Sequence, residues 1–416
     1  MMRQMFFVCC IGMLLAAFAS AATSLEQGFN APPLEARPRV YWYWMNGNLS
    51  KDGITRDLEA MKRIGLGGAM MMEVAVGIPE GNVRTGTPEW WELIRHMLSE
   101  ADRLGLRISF GNGTGWSGSQ GPWVKPEDAM QQVVSSEVPL KGPRRWQGQL
   151  PQPHTAAGHY RDIAVFAVPA VAGDLEQAKP KITVTPAAEK VRIADLHDST
   201  NGKLPPLADD LDVLGDGDPD TCLRLPPVKA DQTITFTLEY AQPFTARSLN
   251  VFPGFWQSYT GELQVSDDGL SYRKVRDIDI PSQGPVTRAV RTLSFAPLTA
   301  RWFRLVISSA KSPLHGRTEI GELTLGGGTR LENWEAATGL VTGYGDTAMP
   351  PLEPADIVDP ARMVDLSGKV DAQGQLTWDV PQGDWVIVRL GHTTFSIPYD
   401  TPPKWAQGLE IDKLAR

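Results

Sequence analysis

Cysteine is scarce in this sequence, and its scarcity limits how the protein can be stabilised. Only three of the 416 residues are cysteine, and Cys9 and Cys10 lie in the apolar N-terminal segment. We expect that segment to be removed, which leaves Cys222 alone. The mature chain is therefore expected to have no intrachain disulfide.

Positive charge is also in the minority. The chain has 40 lysines and arginines against 48 aspartates and glutamates, a net charge of -8. Proteins that bind nucleic acid carry a basic patch or a basic excess, so this balance argues against such a partner. The sequence lacks both a P-loop lysine and a G-x-G-x-x-G turn opening a helix, which makes a nucleotide-binding enzyme a weak interpretation.

The N-terminus carries an apolar run that is too short for a stable membrane span. Arg3 precedes an apolar stretch from Met5 to Phe18, and Ala19-Ser20-Ala21 supplies a small-x-small cleavage pattern. Residues 1–21 are therefore predicted to be a signal peptide. We expect the mature chain to be periplasmic or secreted, with no membrane span.

Residues 35–135 predict a repeating α/β unit. Two stretches have helical spacing, and a short apolar strand follows each of them. The first helix is predicted to begin after Ser50 and the second after Thr87, with Pro88 at its first position. The apolar face of the first helix comprises Ile54, Leu58, Met61 and Ile64. This β-α-β-α-β order with continuously apolar strands predicts a parallel sheet covered by helices.

Polar residues gather where these strands end, which favours a (β/α)8 TIM-type barrel, incomplete in this chain, over a doubly wound sheet. They are Asn46, Glu73 and Asn112. The loop after the third strand, GNGTGWSGSQGPW, combines glycines with Trp116 and Trp123. In a barrel, the glycines of such a loop let the backbone approach a ligand closely, and the two indole rings form apolar surfaces against that ligand. The alternative is a tight glycine turn whose tryptophans pack against the barrel rim.

From about residue 136 the helical period gives way to short strands. Residues 136–187 predict a β-rich connection, and residues 188–328 predict an inserted, independent β-sandwich. The order of its pieces, with VSDDGLSY before ARWFRLVI and EIGELTL at the end, resembles a galactose-binding-like sandwich. Residues 330–400 are predicted to be β-rich and to return to the barrel, and residues 401–416 to start its next helix.

Three shorter segments carry their own interpretations. The GGGT segment at residues 326–329 is interpreted as a linker, and the run WVIVRLG at residues 385–391 as a further candidate barrel strand. Phe255 and Trp256 are either a carbohydrate platform or a plug for one end of the sandwich.

An aspartate-rich turn in the predicted sandwich, LGDGDPDTC, is a candidate calcium site. Calcium takes several oxygen ligands, which alternate aspartates can supply, and the same spacing also suits an ordinary turn. The candidate ligands are Asp216, Asp218 and Asp220.

Four segments together, YWYWMNGNLSKDG, FGNGTGWSGSQGPW, RLGHTT and GLEIDKL, resemble glycoside hydrolase family 106, the α-L-rhamnosidases. The resemblance is close over residues 37–135 and extends over residues 380–416. It implies a (β/α)8 catalytic barrel, an inverting mechanism and a calcium ion that helps orient the rhamnose hydroxyls. The implied partner is a rhamnose-containing oligo- or polysaccharide.

Members of that family are longer, and the resemblance implies that their two catalytic glutamates follow the GLEIDKL segment. The catalytic residues are therefore expected beyond Arg416, and the chain alone is expected to be inactive and poorly soluble. Glu73 and Glu410 are the carboxylates best placed near a barrel mouth, as contacts to sugar or calcium or, less favoured, as a catalytic acid or base. His392 is a candidate donor to a sugar hydroxyl or an ordinary structural histidine.

Two functions stay open at this point. One is an exported α-L-rhamnosidase of which this chain is the N-terminal part. The other is a non-catalytic carbohydrate-binding protein that uses its β-sandwich. The candidate substrate contacts are Asn46, Glu73, Asn112, Trp116, Trp123, His392 and Glu410.

Overall fold

The structure is a computed structural model. It describes residues 25–75, 77–111, 113–116, 119–153, 155, 157–185, 189–192, 211–217, 221–225, 232–253, 257–281, 290–311, 318–332, 334, 352–394 and 403–414. The predicted signal peptide, residues 1–21, lies outside them. The chain divides into two compact units, unit 1 (Met1–Ser119 with Thr401–Ala406) and unit 2 (Gln120–Asp400 with Gln407–Arg416).

Unit 1 alternates strands and helices. In chain order its helices are α1 (Leu25–Asn30), α2 (Lys51–Arg63) and α3 (Pro88–Leu104), with 3-10 turns at Leu34–Ala36 and Lys404–Ala406. Its strands are β1 (Arg39–Met45), β2 (Gly68–Val74) and β3 (Arg107–Phe110). The strands pair in parallel in the order β1-β2-β3, so the predicted β-α-β-α-β arrangement is observed.

The starts of α2 and α3 follow from the capping residues that the sequence predicts. The hydroxyl of Ser50 accepts a hydrogen bond from the backbone N–H of Gly53. The hydroxyl of Thr87 accepts one from the backbone N–H of Trp90, with Pro88 at the first helical position. Each cap satisfies a backbone donor that the first helical turn leaves without an intrahelical partner.

The buried face of α2 is shorter than the sequence predicts. Ile54, Leu58 and Met61 are buried, but Ile64 is 70% exposed. The prediction that Ile64 closes this face is wrong, because α2 ends at Arg63 and the backbone turns away at Gly65, which has a φ of +87°. Only glycine adopts that conformation at little cost.

The two faces of the unit 1 sheet differ in burial. Side chains alternate along β1, so Trp42 and Trp44 lie on the face packed against the helices, while Tyr41 and Tyr43 lie on the other. The packed face shares one core with α2 and α3, which includes Leu58, Ala69, Met71, Leu93, Ile94 and Met97. The described residues of unit 1 form an open α/β layer, and closure of a barrel stays a prediction.

Unit 2 is built mainly from strands. In chain order they are β4 (Gln120–Gly121), β5 (Gln131–Gln149), β6 (Tyr160–Pro169), β7 (Lys181–Thr185), β8 (Glu189–Arg192), β9 (Thr221–Leu225), β10 (Ile234–Val251), β11 (Ser258–Ser266), β12 (Arg273–Ile280), β13 (Arg291–Lys311), β14 (Thr318–Ile320), β15 (Leu323–Gly326), β16 (Val364–Asp365), β17 (Gln375–Thr394) and β18 (Leu409–Glu410). Short 3-10 turns lie at Pro126–Asp128, Leu211–Gly215, Pro354–Asp356, Pro360–Arg362 and Ser367–Lys369.

Two sheets of unit 2 pack as the β-sandwich that the sequence predicts. One has the order β12-β11-β13-β10-β15, with β7 also paired to β10, and the other has the order β14-β9-β8. Both contribute to one apolar core, which includes Leu223, Leu225, Phe236, Phe303 and Leu305. Strand β7 lies ahead of the predicted boundary at residue 188 and pairs with residues 235–239 of β10.

The GGGT segment belongs to this packed structure. Arg247 donates a hydrogen bond of 2.7 Å to the carbonyl of Gly327. A Cβ atom on Gly173 would collide with the same carbonyl, so the two glycines allow a close approach of backbone to backbone. The segment interpreted as a linker is therefore ordered and packed within unit 2.

A separate antiparallel sheet, in the order β16-β6-β17-β5, contains the run WVIVRLG. Residues 385–391 pair with residues 134–140 of β5 and with residues 162–169 of β6. The prediction that this run is a further barrel strand is therefore wrong. A continuous apolar run predicts a buried strand, but its partners are decided by residues far away in sequence.

Residues 401–416 are predicted to start a helix, and this prediction is wrong for residues 409–411. Leu409–Glu410 form β18, which pairs antiparallel with β4. The Glu410 carbonyl accepts a hydrogen bond of 2.9 Å from the backbone N–H of Met130, and Ile411 forms a bridge with Ala129. These extended backbone contacts replace the hydrogen bonds that a helix would make.

Candidate functional site

Three of the predicted site residues lie together in unit 1, at the C-terminal edge of the sheet. Asn46 follows β1 directly, Glu73 is the next-to-last residue of β2, and Trp116 lies in the loop after β3. The backbone N–H of Gly115 donates a hydrogen bond of 2.7 Å to the Glu73 carbonyl, which fixes this loop to β2. Asn112 lies outside the described residues.

Glu73 is a buried carboxylate with two donors. Trp90 of α3 donates its indole N–H to Oε1, and Thr85 donates its hydroxyl to Oε2 at 2.6 Å. Burial raises the pKa of Glu73 above its ordinary value, while the two donated hydrogen bonds act in the opposite direction. The carboxylate ties β2 to α3 and to the loop that precedes it.

Asn46 connects the end of β1 to the loop after β2. It has a φ of 45°, a left-handed conformation that asparagine tolerates better than most residues. Its Nδ2 donates to the carbonyl of Ile78 at 2.6 Å. Its Oδ1 and the hydroxyl of Thr114 are buried and have no hydrogen-bond partner in the described part of the chain. Both oxygens can accept a hydrogen bond from a ligand.

Exposed aromatic rings lie on the face of the sheet opposite the helices. Tyr41 and Tyr43 are stacked, with ring centroids 6.1 Å apart and planes 8° from parallel. Trp116 meets Tyr43 edge to face, at 5.6 Å and 82°. Trp116 is 48% exposed, and we call Tyr41, Tyr43 and Trp116 the aromatic face. Exposed aromatic rings of this kind suit contacts to the apolar faces of sugar rings.

The two tyrosines of the aromatic face were absent from the sequence-based candidates. The segment YWYW alternates tyrosine and tryptophan, and a strand sends alternate side chains to opposite faces. That alternation was the available signal. Thr85 and Trp90, the partners of Glu73, carried no such signal because they come together only in the folded chain.

Trp123 and Glu410 lie in unit 2, with Glu410 on β18 and Trp123 in the turn that follows β4. The ring of Trp123 covers Gly121, where an added Cβ atom would collide with it, and the residue is 59% exposed. Glu410 pairs with Gln120 across the two strands and is 6% exposed. The Nζ atom of Lys413 lies 3.0 Å from its Oε1.

His392 lies on β17 and shares a hydrogen bond with Gln131. Nδ1 of His392 is 3.0 Å from Oε1 of Gln131, whose Nε2 donates to the carbonyls of Ala129 and Pro126. Because that amide is oriented by its two donations, its oxygen accepts and Nδ1 of His392 donates. In the neutral ring Nε2 is then an acceptor for a hydroxyl. Met130, the residue before Gln131, donates its backbone N–H to the Glu410 carbonyl. His392 and Glu410 therefore both contact the segment of residues 130–131.

Comparison with known proteins identifies the family of this chain. A family model described as alpha-L-rhamnosidase, glycoside hydrolase family 106, matches residues 30–416. This chain belongs to glycoside hydrolase family 106. The predicted family is thereby confirmed.

Solved structures similar to this chain include a rhamnosidase. A rhamnosidase from Novosphingobium sp. PP1Y is 29% identical, with a TM-score of 0.63 over 94% of this chain. A curated relative from Formosa agariphila, a putative beta-glucuronidase, is 49% identical over 147 residues, 35% of this chain. The chain spans 36% of the solved rhamnosidase and 13% of the curated relative. A pectin-binding carbohydrate-binding module is 17% identical, with a TM-score of 0.26 over 36% of this chain and 91% of its own.

The calcium ion implied for family 106 has few candidate ligands in the described structure. Of the three predicted aspartates only Asp216 is described, while Asp218 and Asp220 fall outside. Among the described residues no group of three or more His, Cys, Asp or Glu side chains is arranged to hold a metal ion. A calcium site stays a prediction, and so does any role of Phe255 and Trp256, which also lie outside the described residues.

No helix among the described residues is long and apolar enough to cross a membrane.

Proposed function

We propose that this chain forms part of an exported glycoside hydrolase that removes terminal α-L-rhamnose from plant-type polysaccharides or glycosides with inversion. One observation carries the proposal. The chain matches family 106 over residues 30–416. The aromatic face, on the side of the unit 1 sheet opposite the helices, supports a sugar as the ligand.

In this proposal the unit 1 site binds the sugar through two kinds of contact. The ring of Trp116 packs against the apolar face of the pyranose, and Tyr43 supports that ring edge to face. Oδ1 of Asn46 and the hydroxyl oxygen of Thr114 then accept hydrogen bonds from hydroxyl groups of the substrate. Each buried oxygen thereby gains the partner that it lacks among the described residues.

Glu73 acts in this proposal as a positioning residue. Inverting hydrolysis needs a protonated carboxyl at the leaving oxygen and a carboxylate that activates water, about 6.5–9.5 Å apart. Both oxygens of Glu73 already accept hydrogen bonds from Trp90 and Thr85. We propose that the acid and base come from segments that the longer family members have in addition to the part matched here.

A β-glucuronide is the second candidate substrate, because the curated relative named a putative beta-glucuronidase is 49% identical over 147 residues. The charge of the unit 1 site favours rhamnose over it. A glucuronide carries a carboxylate, which needs a cationic partner when it is bound away from water. The aromatic face, Asn46 and Thr114 are all neutral, so the groups proposed to bind the sugar include no cation to pair with that carboxylate.

The test compares hydrolysis of p-nitrophenyl α-L-rhamnopyranoside with that of the β-D-glucuronide, using the protein that contains this chain. We expect turnover of the rhamnoside with an inverted anomer as the first product, seen by NMR. Trp116→Ala should raise KM about tenfold, and Trp116→Phe should raise it less, because the ring is kept.

The matched control is Trp91→Ala, since Trp91 and Trp116 are both 48% exposed and Trp91 lies on α3. Its KM should match that of the unaltered protein. Preferred turnover of the glucuronide would contradict the substrate proposal. An unchanged KM in Trp116→Ala would contradict the proposed role of the aromatic face.

A further inference from the structure

Unit 2 contains a cavity of about 810 Å³ that the proposed function does not use. It lies along one edge of β10, where β7 pairs with residues 235–239 and β15 pairs with residues 248–251. Residues 173 and 174 and residues 176–182 form part of its wall. Its volume falls within the range of small-molecule sites, roughly 300–1,000 Å³.

The charged groups around this cavity are nearly balanced. Arg330 lies 2.7 Å from Asp174 and 3.3 Å from Glu137, and Lys179 lies 2.9 Å from Asp212. The two other charged residues of the lining have opposite signs. Since neither sign is in clear excess, the cavity offers little attraction to a phosphate or a carboxylate ligand.

Two uncharged polar side chains of the lining, those of Tyr240 and Asn250, can bond a ligand, and the Tyr240 hydroxyl has no hydrogen-bond partner within the described residues. Tyr240 is 1% exposed and its hydroxyl is buried and unbonded there. Asn250, on the same strand, presents an amide that can both donate and accept. An unbonded buried hydroxyl costs free energy, so a ligand that bonds it gains affinity.

Apolar side chains complete the lining, and they are Ile182, Leu211, Leu323 and Leu325. A ligand that suits this cavity has hydroxyl groups for the polar side chains, apolar C–H faces for the aliphatic ones, and no net charge. A neutral saccharide combines these three properties.

The wall formed by the glycine segment is fixed before any ligand arrives. Gly173 has a φ of +87°, and a Cβ atom there would collide with the carbonyl of Gly327. Arg247 also donates to that carbonyl. Because these contacts already order the wall, binding loses little conformational entropy.

We propose that this cavity is a binding site for a neutral saccharide, separate from the site in unit 1. The proposal does not depend on the proposed hydrolysis, because a saccharide bound here need not be cleaved. Its test can therefore succeed or fail whatever the outcome of the rhamnoside assay.

The test measures binding of L-rhamnose, D-galactose and D-galacturonate to the full chain by isothermal titration calorimetry. Trp116→Ala serves as the background, so that binding at the aromatic face contributes little. We expect one or both neutral sugars to bind. Tyr240→Phe and Asn250→Ala should each weaken that binding roughly five- to tenfold, through loss of one hydrogen bond.

The matched control is Tyr272→Phe, because Tyr272 lies in the same unit against Arg304 and does not line the cavity. It should leave the affinity unchanged. Cooperative thermal unfolding identifies the variants that fold. If Tyr240→Phe does not fold, the affinity of Asn250→Ala alone tests the proposal. The proposal is overturned if neither neutral sugar binds, if the folded variants bind as the background does, or if D-galacturonate binds more tightly than both.

Discussion

Trp90, in the first turn of α3, donates its indole N–H to Oε1 of Glu73, the next-to-last residue of β2. Thr85 supplies the second donor from the loop between them. One buried carboxylate therefore joins a strand, a loop and a helix at the edge where Asn46 and Thr114 lie. The stability of unit 1 and the geometry of its candidate site depend on the same side chain.

Replacing Trp90 tests this connection. We expect Trp90→Phe to lower the free energy of unfolding by about 1–3 kcal/mol, because a buried carboxylate oxygen loses its donor. Urea denaturation measures the change. Trp91→Phe is the control, since its ring is adjacent on α3 but 48% exposed, and it should change stability by about 0.5 kcal/mol or less. Equal losses in the two variants would show that the hydrogen bond is unimportant.

The raised pKa of Glu73 predicts a dependence of stability on pH. The folded pKa lies above the ordinary value of 4.5, so the folded chain prefers the protonated carboxyl. As pH rises above about 4.5, ionisation costs more in the folded state than in the unfolded one, and stability is lost through the folded pKa. Glu73→Gln removes this cost and keeps an acceptor for Trp90 and a donor toward Thr85.

We therefore expect the free energy of unfolding of Glu73→Gln, relative to the unaltered protein, to increase from about pH 4 to pH 7. Denaturant titrations across this range measure it. A constant difference between the two proteins would mean that burial does not raise this pKa.

Arg389 of β17 predicts a second, independent effect in unit 2. It is 4% exposed, and its Nε and Nη2 bond the two oxygens of Asp162 at 2.7 and 2.8 Å. Nη1 donates to the carbonyl of Leu150 at 3.1 Å. A lysine ammonium cannot span these acceptors, so Arg389→Lys should lower the free energy of unfolding by about 1–3 kcal/mol. Arg161→Lys, at an exposed position of β6, is the control for the charge-conserving change and should have little effect.

Gly121 predicts a local change of ring position. A Cβ atom there would collide with the ring of Trp123, which is 59% exposed and therefore free to move outward. Gly121→Ala should change the free energy of unfolding by less than about 1 kcal/mol, yet increase quenching of Trp123 fluorescence by acrylamide. The same substitution made together with Trp123→Phe should leave quenching unchanged. A quenching increase that persists there would place the effect on another tryptophan.

The helices of unit 1 were predictable because their signals are local. Ser50 and Thr87 lie one residue before each helix, and their hydroxyls cap it wherever the rest of the chain goes. Burial of Ile54, Leu58 and Met61 follows from their spacing for the same reason. Ile64 departs from this pattern because the helix had already ended.

The partners of strands were not predictable in the same way. The run at residues 385–391 carries the composition of any buried strand, and only its pairing with β5 and β6 separates it from a barrel strand. The Leu409–Glu410 strand depends on β4, almost three hundred residues earlier in the chain. Of the residues in the Glu73 hydrogen-bond group, only Glu73 was predictable, because its carboxylate lies near the end of an apolar strand. Trp90 and Thr85 come close to it only when the chain is folded.

The contact between Gly173 and Gly327 has a consequence for how this architecture could arise. The chain enters the sandwich and leaves it at one point, where two backbone segments touch. If the residues between Gly173 and Gly327 were deleted, a short connection would be enough to join β6 to the strands that follow the sandwich. A module with such adjoining ends can be gained, lost or exchanged between family members while the flanking antiparallel sheet keeps its register.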